Sequence, residues 1–300
     1  MEILLYWKEA LKLSSIEESA KRIQHHEQQL RCPICHQPIR IGESNKLICT
    51  NRHSFDLAKQ GYVNLLNQPS DSQYDKKLFA SRRQIITETG LYHLLHKKIA
   101  EIVAENLPEA GQYMILDAGS GEGSHLHEVV KSQQEPTVSG IGIDISKEGV
   151  KMAAGQYKDQ MWFVADLANL PIADQSVAVI MNILSPANYQ EFKRVLVDDG
   201  LIIKVVPRSD YLAELREAIG KKEAQAYDNK KITSLFGEHF QLIDVISLTN
   251  QVELTAQERK HLSQMAPLAW HADQEKIDRF VHGSSGNVTV DLDVLVGKHS

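Results

Sequence analysis

Long apolar runs are missing from this 300-residue sequence, and so is the pattern of an export signal. A membrane-spanning helix needs about 18 or more consecutive apolar residues, and the mean hydropathy is −0.30. The first thirty residues lack the continuous apolar stretch of a signal peptide, because charged residues interrupt it at Lys8, Glu9, Lys12, Glu17 and Glu18. We therefore expect a cytoplasmic protein that does not contact a membrane, with one main domain and a small accessory module.

Cysteine is scarce, with three residues that all lie between Cys32 and Cys49. An odd number within so short a segment excludes a disulfide framework and favours thiolate ligands in a reducing compartment. The spacing is C-x2-C-x13-C-x3-H, which ends at His53. Two ligand pairs on tight turns suit tetrahedral Zn²⁺, and four protein ligands leave no open position for catalysis. We predict a structural zinc site formed by Cys32, Cys35, Cys49 and His53.

Two alternatives to this zinc site stay open. His36 follows the second cysteine and could replace His53 as the fourth ligand, although ligation by adjacent residues strains the turn. The other alternative is three buried cysteines and a surface histidine with no metal. We favour the metal site, because so short a segment with few large apolar side chains needs a metal to fold.

Positive charge is not in excess overall, since the formal net charge is −6. Its distribution is uneven. Residues 31–98 contain eleven Lys and Arg against five Asp and Glu, a sum of +6, which leaves −12 for the remainder. The asymmetry indicates that the basic segment meets a polyanion such as RNA, although charges segregated on solvated faces remain an alternative. Within the zinc module, the residues expected to contact phosphate are Arg31, Arg40, Lys46, Arg52 and Lys59.

From about residue 90 onward, strand-like apolar runs alternate with helical patterns. Strands are predicted at residues 114–117, 138–144, 162–165, 177–182, 201–206, 240–246 and 288–296, and helices at 90–107, 123–132, 147–156, 168–172, 187–197 and 255–266. Such alternation implies parallel strands joined by crossover helices, with the last two strands antiparallel. We predict an α/β fold with a mostly parallel, Rossmann-like, seven-stranded sheet and a small N-terminal zinc-binding β-ribbon. The predicted parts are a helical extension (1–30), a zinc module (31–66), a linker (67–89) and the main domain (90–300).

A glycine-rich turn follows the first of these strands. The sequence Asp117-Ala-Gly-Ser-Gly-Glu-Gly123 has glycines that allow a sharp turn and a close approach to a ligand, and the helix after it offers free amides at about residues 123–125. Asp144 ends the next strand, where it can accept both ribose hydroxyls. Asp166 and Leu167 end the third strand, where they can contact adenine. This layout resembles class I S-adenosylmethionine methyltransferases. An NAD enzyme, or acids that only cap helices, are the alternatives.

At this point the sequence resembles a known family over residues 31–300. Besides the zinc motif and the glycine-rich turn, the residues that carry the resemblance are His53-Ser-Phe-Asp-Leu-Ala-Lys-Gln-Gly-Tyr-Val-Asn-Leu-Leu66, Ala80-Ser-Arg-Arg83, Gly90-Leu-Tyr92, Ser185-Pro186, Pro207 and Met265-Ala-Pro-Leu-Ala-Trp270. They are similar to bacterial 23S rRNA (guanine-N1) methyltransferases, which modify a hairpin in domain II. The run Asn182-Ile-Leu-Ser-Pro186 resembles the Gram-positive branch, which is linked to macrolide resistance.

The resemblance implies S-adenosylmethionine and structural Zn²⁺ as cofactors, 23S rRNA as the partner, and a homodimer. It adds Tyr92 and Tyr211 to the residues that hold the cofactor. The full predicted cofactor set is Tyr92, Asp117, Gly119, Gly121, Glu122, Gly123, Ser124, His125, Asp144, Asp166, Leu167 and Tyr211.

The end of the fourth strand is the predicted pocket for the target base, which must leave its helix because N1 lies on the pairing edge. The candidates there are Asn182, Ser185 and Pro186. No carboxylate lies in that run, so no general base is predicted. The predicted RNA-binding residues are Arg40, Arg52, Lys59, Arg82 and Arg83, with a solvated helix face as the alternative for the last two. Two other functions stay open: a small-molecule methyltransferase, and a non-catalytic zinc protein that binds RNA.

Overall fold

The computed structural model describes residues 15–68, 74–133, 137–220 and 229–299. Helix α1, Ser15–His25, lies in the predicted helical extension and buries Ala20 and Ile23. Acidic residues occupy its first turn and basic ones its last, which suits the helix dipole. The part of the predicted extension before residue 15 lies outside the described residues.

The zinc module is a three-stranded antiparallel sheet followed by a strand that leaves it. Strands β1 (Ile39–Ile41), β2 (Lys46–Cys49) and β3 (Ser54–Asp56) pair in that order. Strand β4 (Tyr62–Asn64) instead pairs in parallel with a strand of the large sheet. Because β4 belongs to both the module and the large sheet, the ribbon is fixed to the main domain.

The large sheet has eight strands. Besides β4 they are β5 (Gln112–Ala118), β6 (Thr137–Asp144), β7 (Met161–Val164), β8 (Val177–Ile183), β9 (Leu196–Pro207), β10 (Gln241–Glu253) and β11 (Asn287–Lys298). Their order across the sheet is β10-β11-β9-β8-β5-β6-β7-β4. Strand β11 is antiparallel to both neighbours, and the other pairs are parallel. The predicted mostly parallel, seven-stranded class I sheet is confirmed, and β4 extends it by one strand.

Helices cover both faces of the sheet. They are α2 (Lys76–Glu88), α3 (His93–Asn106), α4 (Ser124–Ser132), α5 (Lys147–Gln156), α6 (Tyr189–Val195), α7 (Ala213–Ala218), α8 (Lys230–His239), α9 (Ala256–Met265) and α10 (Gln274–His282). None of the helices in these described ranges is long and apolar enough to cross a bilayer. The buried apolar residues form two clusters, one on each side of the sheet.

Two segments differ from the expectation. Residues 168–172 form turns and no helix, because the segment is tied to the zinc module by hydrogen bonds to the backbone. The segment predicted as a linker contains α2. Asp75 caps the start of this helix, and its side chain accepts a hydrogen bond from the Leu78 amide (2.8 Å). Helix α2 packs chiefly on α9 and also contacts α4 and α5. It is therefore part of the main domain.

The loop after β7 carries the contact between the zinc module and the main domain. Asn169 Nδ2 donates to the Pro33 carbonyl (2.8 Å), and the Arg31 amide donates to the Pro171 carbonyl (3.1 Å). The Arg31 guanidinium forms ion pairs with Glu191 (3.6 Å) and Asp174 (3.5 Å). Arg31, expected to meet phosphate, therefore joins the two domains.

Candidate zinc centre and cofactor site

The four predicted zinc ligands converge in the structure. Their ligand atoms all lie within 4.8 Å of one another. Cys35 Sγ and Cys49 Sγ are 3.7 Å apart, and His53 Nδ1 lies 3.4 Å from Cys49 Sγ and 3.5 Å from Cys32 Sγ. Bond lengths of about 2.3 Å to sulfur and 2.0–2.1 Å to nitrogen at tetrahedral angles give edges of about 3.8 Å and 3.6 Å. These three distances therefore match the edges of a tetrahedral zinc site.

The loops that carry these ligands explain why His53, and not His36, lies at the position of the fourth ligand. The Cys49 amide donates to the His53 carbonyl (3.0 Å), and the His53 amide donates to Cys49 Sγ (3.3 Å), so the second ligand pair closes on itself. His36 is exposed in a left-handed conformation and does not belong to the cluster. The geometry supports His53 as the fourth ligand, as predicted.

The basic residues of the ribbon differ in exposure. Arg40, Arg52 and Lys59 are exposed and stay available to a polyanion. Lys46 forms an ion pair with Asp56 (2.9 Å) that links β2 to β3. Surface pairs of this kind exchange easily with solvent and ligands, so Lys46 is the weaker candidate for a phosphate contact.

The glycine-rich turn after β5 has the backbone that the sequence predicts. Gly119, Gly121 and Gly123 all have positive φ, at 90°, 56° and 83°, which favours glycine. A Cβ at Gly119 would overlap Ser185 Oγ, and one at Gly123 would overlap the Trp162 ring. The turn therefore contacts the predicted target-base loop directly, and there is no room for a side chain at Gly119 or Gly123.

Three predicted acids lie around this turn, and they differ in the hydrogen bonds that their carboxylates accept. Asp144 accepts from the Gly121 and Ser146 amides, both at 2.8 Å. Asp166 is exposed and accepts from the Ala168 amide (2.9 Å), so it can also reach a ligand. Asp117 is 1% exposed, and its Oδ2 has no hydrogen-bond partner among the described residues. Burial raises the pKa of Asp117 to about 7, while Arg82 acts in the opposite direction.

The predicted cofactor residues that follow the turn face inward. Ser124 Oγ bonds with Tyr157 Oη (2.8 Å), and the Gly123 amide donates to the Ser120 carbonyl (2.9 Å). The ring of His125 bonds through Nδ1 with His96 Nε2 (2.7 Å). The side chains of Ser124 and His125 are therefore occupied, which leaves their backbone as the part that can serve the cofactor.

Tyr92 and Tyr211, assigned to the cofactor by resemblance, meet at one place. Their hydroxyls are 2.6 Å apart, although 119 positions separate them in the sequence. The Tyr92 ring packs edge-on against His125, with centroids 5.2 Å apart. Burial raises the pKa of Tyr92 and lowers the pKa of His125 well below its usual value, so both rings stay neutral.

The two adjacent arginines of helix α2, Arg82 and Arg83, lie in different surroundings. Arg82, expected to meet RNA, places Nε 3.0 Å from Glu122 Oε2, and Glu122 is 1% exposed. Arg83 lines a groove of about 440 Å³ with Lys76 and Lys151. The structure therefore places Arg82 at the glycine-rich turn and the half-buried Arg83 in a groove that also contains Glu148.

The predicted target-base loop is held by a residue that the sequence reasoning missed. Lys204 of β9 is 7% exposed, and its Nζ donates to Asn182 Oδ1 and to the Ser185 carbonyl. Asn182 Nδ2 donates to the carbonyls of Ala118 (2.6 Å) and Pro186 (2.9 Å). Burial lowers the pKa of Lys204 to about 8. Because Asn182 is fully buried and occupied, it shapes the loop, while Ser185 and Pro186 remain accessible.

Comparisons with known proteins agree with both sites. The family described as "RlmA, N-terminal", a zinc ribbon, matches residues 30–70, and a methyltransferase domain matches residues 115–200. The chain is 39% identical over 272 residues to YxjB of Bacillus subtilis (strain 168), described provisionally as a 23S rRNA (guanine-N(1)-)-methyltransferase; the match covers 89% of this chain and 96% of the relative. It is 30% identical to the 23S rRNA (guanine(748)-N(1))-methyltransferase of Streptomyces fradiae, over 88% of this chain and 94% of that one. The chain belongs to the 23S rRNA (guanine-N1) methyltransferase family.

A solved structure is similar to part of this chain at low sequence identity. The YcgJ protein of Bacillus subtilis is 17% identical with a TM-score of 0.44, and the match covers 69% of this chain and 98% of that one. The sheet order and the match to a methyltransferase domain identify the class I fold, whose cofactor is S-adenosylmethionine. The unpartnered Asp117 Oδ2 and the cradle of three glycines fit that cofactor, and the three thiolates with one imidazole fit structural zinc.

Proposed function

We propose that this protein transfers a methyl group from S-adenosylmethionine to N1 of a guanine in 23S rRNA, within a hairpin of domain II. The observation that supports it most is the position of the zinc module. The module contacts residues 169–171, shortly after Asp166 and Leu167, so a ribbon with exposed basic residues borders the cofactor edge of the sheet. An RNA held by the ribbon would lie beside the transferable methyl group.

Methyl transfer mainly requires that the nucleophile, the methyl group and the sulfur are aligned, because a methyl group on a sulfonium is already electrophilic. When bound, the cofactor supplies that methyl group. The target guanine has to be extruded and to lose its N1 proton. Ser185 is the accessible polar residue that touches the glycine-rich turn at Gly119, and Pro186 offers an apolar face for stacking. Hydrogen bonds from Lys204 to the Ser185 carbonyl and from Asn182 to the Pro186 carbonyl hold this loop in place.

The proposed RNA surface consists of Arg40, Arg52 and Lys59 on the ribbon and Arg83 on α2. Arg83 shares its groove with Lys76, Lys151, Glu148 and Gln60, the last of which follows Lys59. Lys151 lies 3.9 Å from Glu148, so the groove between α2, α5 and the ribbon has three basic side chains and one acidic one. Phosphate contacts from such a surface give affinity that falls with salt concentration. Arg82 is withdrawn from the RNA-binding set because it pairs with Glu122.

The resemblance supports further proposals that follow from the rRNA substrate. A protein that modifies rRNA works in the cytoplasm, where 23S rRNA is found. The homodimer and the contribution to macrolide resistance stay predictions. So do the domain limits of 31–66 for the zinc module and 90–300 for the main domain, which we propose to extend so that α2 joins the main domain.

A single assay tests this function against its alternatives. Purified protein is incubated with tritiated S-adenosylmethionine and unmodified 23S rRNA, and reverse-transcription stops are mapped, because N1-methylguanine blocks base pairing. We expect label in the RNA and one stop in domain II. Label in small molecules with none in RNA would favour the small-molecule enzyme, and RNA binding without any label would favour the non-catalytic protein.

A further inference from the structure

A groove between α9 and α10 lies outside the sites described above. Strand β10 runs in the same direction as β5, and β11 runs against it, so the segment that joins β10 to β11 starts and ends at the edge where the glycine-rich turn follows β5. Helices α9 and α10 and Trp270 belong to this segment. Together with the start of α2 they line a cavity of about 560 Å³, which we call the Trp270 groove.

The segment Met265–Trp270, which carries part of the family resemblance, fixes the position of Trp270. Pro267 begins a single 3-10 turn that ends at Ala269, and the restricted φ of proline suits that position. Ala266 and Ala269 are buried, and the Ala266 amide donates a hydrogen bond back to α9 (3.1 Å). Trp270 follows this anchored turn and is partly exposed at the groove.

Aromatic contacts connect Trp270 with the glycine-rich turn. The Trp270 and Tyr74 rings pack edge to face with centroids 5.4 Å apart, and the Tyr74 and Phe79 centroids are 6.1 Å apart. Phe79 is buried, and its Cε1 lies 3.4 Å from the point where a Cβ at Gly121 would stand. Tyr74 is 41% exposed. An aromatic surface therefore extends from the cofactor turn to the groove.

The groove carries more basic than acidic side chains. Lys77 of α2 and Lys260 of α9 are exposed, and neither forms an ion pair with a residue that the structure describes. His282 also lines the groove. Among the described lining residues Asp278 is the one acid, and it accepts a hydrogen bond from Gln274 Nε2 (2.8 Å). An aromatic ring beside unpaired ammonium groups is the combination that binds single-stranded nucleic acid, because bases stack on the ring and phosphates meet the cations.

We propose that the Trp270 groove binds a nucleotide of the RNA substrate close to the target guanine, with its base stacked on Trp270 and its phosphates beside Lys77 and Lys260. The proposal rests on the proposed function, in which the guanine leaves its helix and loses the stacking with its neighbours. A base on Trp270 recovers part of that stacking and keeps the unpaired strand at the cofactor edge.

The order of the strands places this groove and the zinc module on opposite flanks. The module joins the sheet through β4, at one end of the strand order, whereas the groove follows β10, at the other end. The glycine-rich turn follows β5, which lies between them. An RNA that contacts both the ribbon and the Trp270 groove is therefore held on each side of the site of methyl transfer.

Abasic substitutions in a synthetic RNA hairpin of domain II test the stacked base. Binding of the fluorescently labelled hairpin to the full-length protein is measured by anisotropy, while one loop nucleotide at a time lacks its base. For the wild type, one position other than the methylated guanine should weaken binding about 5- to 100-fold, as expected for one base stacked on an aromatic side chain. Trp270→Ala should weaken the intact hairpin by a similar factor and should no longer respond to that position. Trp270→Phe keeps a ring and should stay within about threefold of the wild type.

The dependence of affinity on salt tests the two lysines. Each phosphate contact adds about 0.7 to the slope of log affinity against log salt concentration for a single strand. Lys77→Gln and Lys260→Gln should each reduce the slope by about this amount. Lys276→Gln is the matched control, because Lys276 lies on α10 outside the groove and pairs with Asp273 (3.2 Å). This control should leave the slope unchanged.

The proposal is wrong if Trp270→Ala binds the hairpin as the wild type does, or if both proteins respond alike to every abasic position. A matching loss of affinity for S-adenosylhomocysteine, titrated without RNA, would instead assign Trp270 to the cofactor site. A change of oligomeric state in sedimentation would assign the groove to contacts between protein chains. If Trp270→Ala does not fold, Trp270→Leu replaces it. Failure of the wild type to methylate the hairpin would contradict the proposed function, which these binding measurements do not assay, so the two failures are distinguishable.

Discussion

Asp117→Asn should change how the stability of the ligand-free protein depends on pH. Burial raises the pKa of Asp117 to about 7, whereas an aspartate in an unfolded chain titrates near 3.9. The folded protein therefore binds more protons than the unfolded chain between these two values, so stability falls as pH rises through that window. From pH 5 to pH 8 this single group should cost the wild type about 2–3 kcal/mol. Asparagine does not titrate and removes that loss.

Urea denaturation of the wild type and Asp117→Asn at pH 5 and pH 8, without ligand, measures this difference. Glu122, Asp144 and Arg82 face Asp117 and remain in both proteins, so their titration contributes similarly to both curves. The variant should gain about 2–3 kcal/mol on the wild type between the two pH values, whatever the constant cost of the amide. Parallel pH profiles for the two proteins would refute the claim that Asp117 is buried and unsatisfied when the cofactor is absent.

The remaining predictions concern the zinc site and the target-base loop. The purified protein should contain one equivalent of zinc by elemental analysis. Cys49→Ser should lose the zinc, whereas His36→Gln should keep it. Loss of zinc from His36→Gln would assign the fourth ligand to His36. Lys204→Met should lower kcat/KM for rRNA by about 10- to 100-fold, because it leaves Asn182 Oδ1 and the Ser185 carbonyl without their charged donor. The affinity for S-adenosylhomocysteine should stay unchanged, and an equal loss there would show that Lys204 supports the cofactor turn as well.

The sequence was most informative where the chemistry is local. The zinc ligands lie within 22 residues, and the glycine-rich turn is a continuous segment, so spacing alone placed both. The parallel sheet followed from alternation, since crossover helices leave a regular pattern. The pairing of β4 with β7 could not be predicted from spacing or alternation in the sequence. It joins three residues on each side, about 100 positions apart, and is decided by tertiary packing.

Lys204 could have been found from its context. It stands within Leu-Ile-Ile-Lys-Val-Val, a run that reads as a strand buried on both faces. A lysine in such a strand must have polar partners, because an unpaired buried charge is too costly. The sequence thus indicates that a partner exists. It cannot name Asn182 and Ser185, which lie on the adjacent strand β8 and its loop, because strand neighbours are set by the sheet order.

The misplacement of Arg82 follows from treating residues 76–88 as a linker. Viewed as a helix with about 100° per residue, the segment has one apolar arc. The buried apolar residues that define it are Leu78, Phe79, Ile85 and Ile86. Arg82 falls about 40° from Leu78, inside this arc, whereas Arg83 lies about 100° further round. A guanidinium on the apolar stripe of a helix needs a buried partner of opposite charge, and a neighbour outside the stripe does not. Helical periodicity alone therefore predicts that these two arginines have different surroundings, as observed for Arg82 beside the buried Glu122 and Arg83 in the groove with Lys76.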